Sequence, residues 1–132
     1  MSRILGIDYG RMKIGIAVSD EGHKLAFPKT THPNSWSLFL EFLKNLILKE
    51  DIIEIVVGLP AQLDGSGAEL TPEVKDFAEK LKDSFRLPIH FENESFTSKA
   101  VESMGSAPAH RTDASAAALI LQSFLDRRNQ KN

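Results

Sequence analysis

The stretch GIDYGRMKIGIAVSD, residues 6–20, decides how the rest of the chain is read. An apolar run ends in Asp8, a glycine-bearing turn follows over Tyr9–Met12, and a second apolar run starts at Lys13. Two short apolar runs around a tight turn predict a β-hairpin, with strands over 3–8 and 13–19. In the second strand Ile14, Ile16 and Val18 share one face, and Gly15, Ala17 and Ser19 share the other. A face of small residues predicts close approach by another element. Asp8 has two readings. It either accepts backbone hydrogen bonds in the turn, or it is a charge held in place for use.

Working outward, residues 24–31 (KLAFPKTT) read as a third strand, with Pro28 marking an edge position. Trp36, Phe39, Leu40, Leu43, Leu46 and Ile47 recur at helical spacing behind Asn34 or Ser35 as a cap. IIEIVVGLP (52–60) is a β-branched run suited to a buried parallel strand. A second helix starts at Thr71–Pro72, with Val74, Phe77, Ala78, Leu81 and Phe85 as its stripe. LPIHFENE (87–94) alternates, with Leu87, Ile89 and Phe91 on one face and His90, Glu92 and Glu94 on the other. A short helix is expected over about 97–104, and DASAAALILQSFLD (113–126) forms the last helix. The order β-β-β-α-β-α-β-α-α predicts an α/β fold: a mixed five-stranded sheet, antiparallel at first and then parallel, flanked by helices.

At 132 residues, with 42% apolar and 26% charged residues and no linker or repeat, the chain reads as one domain over 1–132. The absence of cysteine excludes disulfides and thiolate metal sites and fits a reducing, cytoplasmic setting. MSRILGID is too short an apolar run for a signal peptide, and no stretch is long enough for a membrane span. The net charge of −2 is unlike that of a protein that holds nucleic acid by phosphate neutralisation alone.

Sites in open α/β sheets gather beyond the carboxyl ends of the strands. Asp8 falls at such an end, and so do Glu92 and Glu94, while Asp113 opens the final helix. Converging acids repel unless a cation sits among them, and hard oxygen ligands without cysteine or paired histidines suit Mg²⁺ or Mn²⁺. Each acid alone has a plain structural role: Asp8 in the turn, Asp113 as a helix cap, Glu94 as a solvated loop acid. The combination points to metal-assisted phosphodiester chemistry.

GIDYGRMKIGIAVSD, VVGLPAQLDGS, ENESFTS and DASAAALILQSFLD together resemble the four signature blocks of the YqgF (RuvX) family, in order and over nearly the whole chain. That resemblance implies a ribonuclease H-like fold. The family comprises small bacterial proteins described as candidate Holliday junction resolvases and assigned the 5′-end processing of pre-16S ribosomal RNA. It implies a metal-dependent nuclease with Asp8, Glu94 and Asp113 as catalytic acids. Asp8 and Asp113 would bind Mg²⁺ or Mn²⁺, Glu94 would complete the site or orient water, and Glu92 is the reserve candidate. Arg11, Lys13, Thr97, Ser98, His110 and Arg111 are the candidate contacts to a nucleic-acid partner, either pre-ribosomal RNA or branched DNA.

Two departures bear on substrate grip. Where the family has Asp-Glu-Arg, this chain has Asn93, Glu94 and Ser95, so a bidentate phosphate binder is missing. The segment before Asp113 is short and keeps only His110 and Arg111 as basic residues. Lys99, Arg127 and Arg128 are available to supply charge. RNA processing is favoured over junction resolution because it needs no symmetric dimer. A non-catalytic nucleic-acid-binding relative is the alternative. The hairpin also resembles the ATP-binding turn of actin and the sugar kinases, but the chain is short for their two-lobed clamp.

Overall fold

The computed structural model describes residues 2–59, 71–93 and 114–130. Eight elements follow in order: β1 (Arg3–Tyr9), β2 (Lys13–Ser19), β3 (Ala26–Pro33), α1 (Trp36–Glu50), β4 (Ile52–Leu59), α2 (Pro72–Phe85), β5 (Ile89–Asn93) and α3 (Ala114–Gln130). They build a five-stranded sheet in the order β3-β2-β1-β4-β5. β1 pairs antiparallel with β2, and β2 with β3, whereas β4 runs parallel to both β1 and β5. The mixed sheet expected from the sequence is therefore present.

Two cores lie on opposite sides of the sheet because alternate residues face opposite ways. Leu5, Ile7, Ile14, Ile16, Ile55 and Val57 pack under α1 and α2 with Phe39, Leu43, Phe77 and Leu81. Ile4, Ala17 and Val56 pack under α3 with Ala117, Ile120, Leu121, Phe124 and Leu125. The small-residue face of β2 is the face that α3 covers, as expected. The close approach is tightest at Gly6, where an added Cβ would lie 2.8 Å from the Leu121 Cβ and 3.1 Å from the Ala117 carbonyl oxygen.

Local rules hold with some adjustments. Thr71 Oγ1 accepts from the Val74 N–H at 3.2 Å and caps α2 with Pro72 in its first turn. β3 starts and ends two residues later than expected. It is an edge strand as Pro28 required, and its register with β2 shifts between Ile16 and Ala17. α3 runs to Gln130, a turn past the expected end. Ser35 caps α1 without a side-chain bond. Asn34, the other cap candidate, instead donates from Nδ2 to the Gly10 carbonyl at 2.7 Å. The helix expected over 97–104 lies outside the described residues.

On β5 the two faces differ in burial: Phe91 is 37% exposed, whereas Glu92 is 2% exposed. α3 covers the face carrying His90 and Glu92, so Glu92 is buried and His90 half-buried, while Ile89 on the opposite face packs against the α1–α2 core.

Candidate functional site

Asp8 is 2% exposed at the carboxyl end of β1. It follows Ile4 and Gly6 in the strand's alternation and so stands on the α3 face. Its partner in β2 is Gly15, and β4 continues past Val57, the partner of Ile7, to Gly58. Glycines on the adjacent strands leave room for a carboxylate where larger side chains would fill the face. β1 is central and paired on both sides, so Asp8 is carried rigidly.

Glu92 is the second buried carboxylate on this face. It pairs in register with Gly58 on the far side of β4. Asp8 and Glu92 thus belong to strands flanking β4, at the same end of the sheet, with backbones about 10 Å apart from two strand spacings. Arg127, in the last turn of α3, places Nη2 at 2.6 Å from Glu92 Oε1. Burial pushes the Glu92 carboxyl above its usual range, and the Arg127 charge opposes that shift.

A third acid was overlooked in the sequence. Glu54 receives a two-pronged bond from Arg128, with Nη1 to Oε2 at 2.8 Å and Nη2 to Oε1 at 2.9 Å. His90 Nε2 lies 2.8 Å from Glu54 Oε1, and its ring packs against Phe124 at 5.0 Å. The Arg128 bonds hold the Glu54 carboxyl down to about 2 against the opposing effect of burial, with His90 adding to the lowering. His90 thus ties β5 to Glu54 of β4 and to Phe124 of α3. The signal was available: Glu54 interrupts the IIEIVVGLP run much as Asp8 ends RILGID. Arg127 and Arg128, considered as substrate cations, are both engaged with carboxylates of the sheet.

Among the other expected site residues, Arg11 stands at the hairpin turn with its side chain 83% exposed and Nη2 3.3 Å from Glu73 Oε1. Lys13 is exposed at the start of β2. Glu94, Thr97, Ser98, His110, Arg111 and Asp113, with Ser95 and Lys99, lie outside the described residues. α3 begins at Ala114, directly after Asp113 in the chain, and the Ala114 N–H donates to Thr31 Oγ1 at 3.2 Å. Thr31 pairs with Gly15, itself the partner of Asp8, so α3 starts at the Asp8 end of the sheet. Among the described residues no group of three acids, histidines or cysteines gathers to hold a metal. Asp8 offers the hard, buried carboxylate that Mg²⁺ or Mn²⁺ prefers, and in that respect the site fits such an ion. No helix among the described residues is long and apolar enough to cross a membrane.

A mixed sheet of this order, with a buried aspartate ending its central strand and a helix laid across that face, defines the ribonuclease H-like class. Solved structures share the architecture. RuvC of Thermus thermophilus in complex with Holliday junction substrate superposes with a TM-score of 0.59 at 12% identity, over 98% of this chain and 96% of that one. The fowlpox virus resolvase with Holliday junction DNA gives a TM-score of 0.57 at 9% identity, over 96% of this chain and 98% of that one. At such identities the likeness is one of fold. The sequence goes further: the RuvX family, described as Holliday junction resolvase, matches residues 2–127. A protein of Rickettsia conorii, named as a candidate pre-16S rRNA nuclease, is 35% identical over 93% of this chain and 85% of its own length. A Koribacter versatilis protein of the same name is 36% identical over 96% of this chain and 88% of its own. The chain belongs to the RuvX (YqgF) family, which places it among hydrolases acting on nucleic acid.

Proposed function

We propose that this single domain is a divalent-metal-dependent nuclease that hydrolyses phosphodiester bonds of structured nucleic acid, in the cytoplasm. Its most direct role would be the 5′-end processing of pre-16S ribosomal RNA. The observation that carries this reading is Asp8, a buried carboxylate at the end of the central strand, with glycines on the strands either side. The names of the relatives supply the RNA. The description of the family supports a second reading, resolution of four-way DNA junctions by the same chemistry, which would ask for a symmetric dimer.

Asp8, Glu94 and Asp113 would hold Mg²⁺ or Mn²⁺. When bound, the ion supplies charge neutralisation at the phosphate and a more acidic water. The rest is the work of the chain. β1 holds the Asp8 oxygens in a fixed direction, so no reorganisation is needed as charge develops. α3, seated on Gly6, covers the Asp8 face and limits water there. Arg127 sets one positive charge against Glu92 on the same face, offsetting part of the repulsion among the acids. Hydrolysis adds water across one P–O bond: a water oxygen bonds to phosphorus, the ester bond breaks, and a proton reaches the departing oxygen.

The test is incubation of the purified protein with a pre-16S leader RNA and with a four-way DNA junction, each with Mg²⁺ and with Mn²⁺, alongside Asp8→Asn. Cleavage of the RNA that falls at least about 100-fold in Asp8→Asn is expected, a typical loss for removing a preorganised charged group. Cleavage that survives the substitution, or none of either substrate, overturns the mechanism.

A further inference from the structure

The tip of the β1–β2 hairpin carries an exposed apolar side chain between two exposed basic ones. Met12 is 82% exposed, Arg11 before it is 83% exposed, and Lys13 after it is exposed. Single exposed apolar residues are ordinary on protein surfaces, so exposure alone decides nothing. Leu48 is as exposed, at 83%, but it sits near the end of α1, just before β4 begins and thus at the far end of the sheet from Asp8.

What distinguishes Met12 is its setting. The tip is pinned from both sides by one residue: the Asn34 backbone N–H donates to the Met12 carbonyl at 3.0 Å, and its Nδ2 donates to the Gly10 carbonyl at 2.7 Å. A loop held this way presents its side chains in a fixed direction with little ordering left to be done on binding. The tip also continues directly from the Asp8 end of β1. Among the described residues Arg11 meets Glu73, at 3.3 Å on an exposed surface, a pairing weak enough to exchange for a phosphate.

We propose that this tip is a wedge for nucleic acid, with Met12 lying against a base at a branch or strand end and Arg11 and Lys13 gripping the phosphates on either side. It rests on the nuclease reading and narrows the substrate to one with an unstackable step beside the scissile bond. Apolar side chains enter base steps where stacking is already weak, and flanking cations give the sequence-independent part of the affinity. A continuous duplex offers Met12 no such step.

The test measures equilibrium binding in chelator, so that no cleavage intervenes. The probes are an RNA hairpin with a single-stranded 5′ flank, carrying 2-aminopurine at the branch, and a plain duplex of equal length. Met12→Ser is expected to weaken binding to the branched probe about tenfold, the scale of losing one partly buried apolar side chain, to abolish the unstacking fluorescence, and to leave duplex binding unchanged. Met12→Leu should restore both signals. Replacing Arg11 and Lys13 together by Ala should weaken both probes alike and reduce the salt slope by about 1.5–2. Equal binding of wild type and Met12→Ser, or no binding by wild type, overturns the wedge. Cleavage with Mg²⁺ or Mn²⁺ is read separately: the binding pattern without cleavage leaves the wedge standing and the nuclease reading fallen. Cleavage lost in Asp8→Asn but indifferent to Met12 does the reverse.

Discussion

Substituting Gly6 by Ala tests how closely α3 must lie on the sheet. The new Cβ would meet the Leu121 Cβ at 2.8 Å and the Ala117 carbonyl oxygen at 3.1 Å, where ordinary contact begins at 3.4 Å. Both obstructing atoms are fixed to the helix backbone, so no rotamer change relieves the clash; α3 must lift by at least about 0.6 Å or β1 must bend. Overpacking of this kind costs about 1–3 kcal/mol. The alanine also restricts the unfolded chain, which returns about 0.4–1 kcal/mol, so the net loss centres on about 1.3 kcal/mol and reaches at most about 2.6 kcal/mol. With a urea slope of about 1–3 kcal/mol per molar for a small domain, the unfolding midpoint should fall by about 0.5–1 M at unchanged slope. A second background sharpens the attribution. Leu121→Ala keeps the offending Cβ but trims the atoms beyond it, so the Gly6→Ala penalty measured within it should fall only part of the way, because contacting residues couple. Leu121→Gly removes that atom, and the penalty should shrink by about 1 kcal/mol. Hydrogen exchange should also quicken selectively in α3. A Gly6→Ala protein as stable as wild type, with α3 amides equally protected, refutes the close approach.

The charged clusters give two further predictions. Glu54 is held near 2 in the folded chain, below its ordinary 4.5, so its stabilisation is full above about pH 4.5 and is lost as pH falls toward 2. Acid titration of stability should be shallower in Glu54→Gln across that window, by an amount on the order of 1–3 kcal/mol for a charge-assisted pair; an unchanged acid limb would remove Arg128 and His90 as its cause. Arg127→Ala leaves the Glu92 carboxylate buried without its cation and should cost about 1–3 kcal/mol at pH 7, the lower end because the arginine is half-exposed. Glu92→Gln in the same background should recover most of that in a denaturant titration, and no recovery would show that Arg127 acts instead through its guanidinium over the Phe124 ring, 5.9 Å from the ring centre.

Much of the fold was legible locally. Hairpin, helices and parallel strands followed from side-chain period, from the Thr71–Pro72 start, and from glycines and prolines that admit few backbone choices. These signals reside in neighbours along the chain. Even the small-residue face of β2 announced that something would press against it.

The rest depended on which face received α3, and period alone does not say that. Alternation separated Ile89 and Phe91 from His90 and Glu92, but the choice of the more buried side chain fell to the helix, which covered Glu92 and left Phe91 37% exposed. Asn34 suited a helix cap by type; the nearness of Gly10 and Met12 turned it into the pin of the hairpin tip. Glu54, His90 and Arg128 meet from positions 36 to 74 residues apart, a distance across which no local pattern carries information. For Asp8, the sequence by itself determined a carboxylate at the end of an apolar strand. Only the tertiary structure decided that it is buried, because β1 lies between β2 and β4 with glycines alongside, and α3 closes over the face to which its side chain belongs.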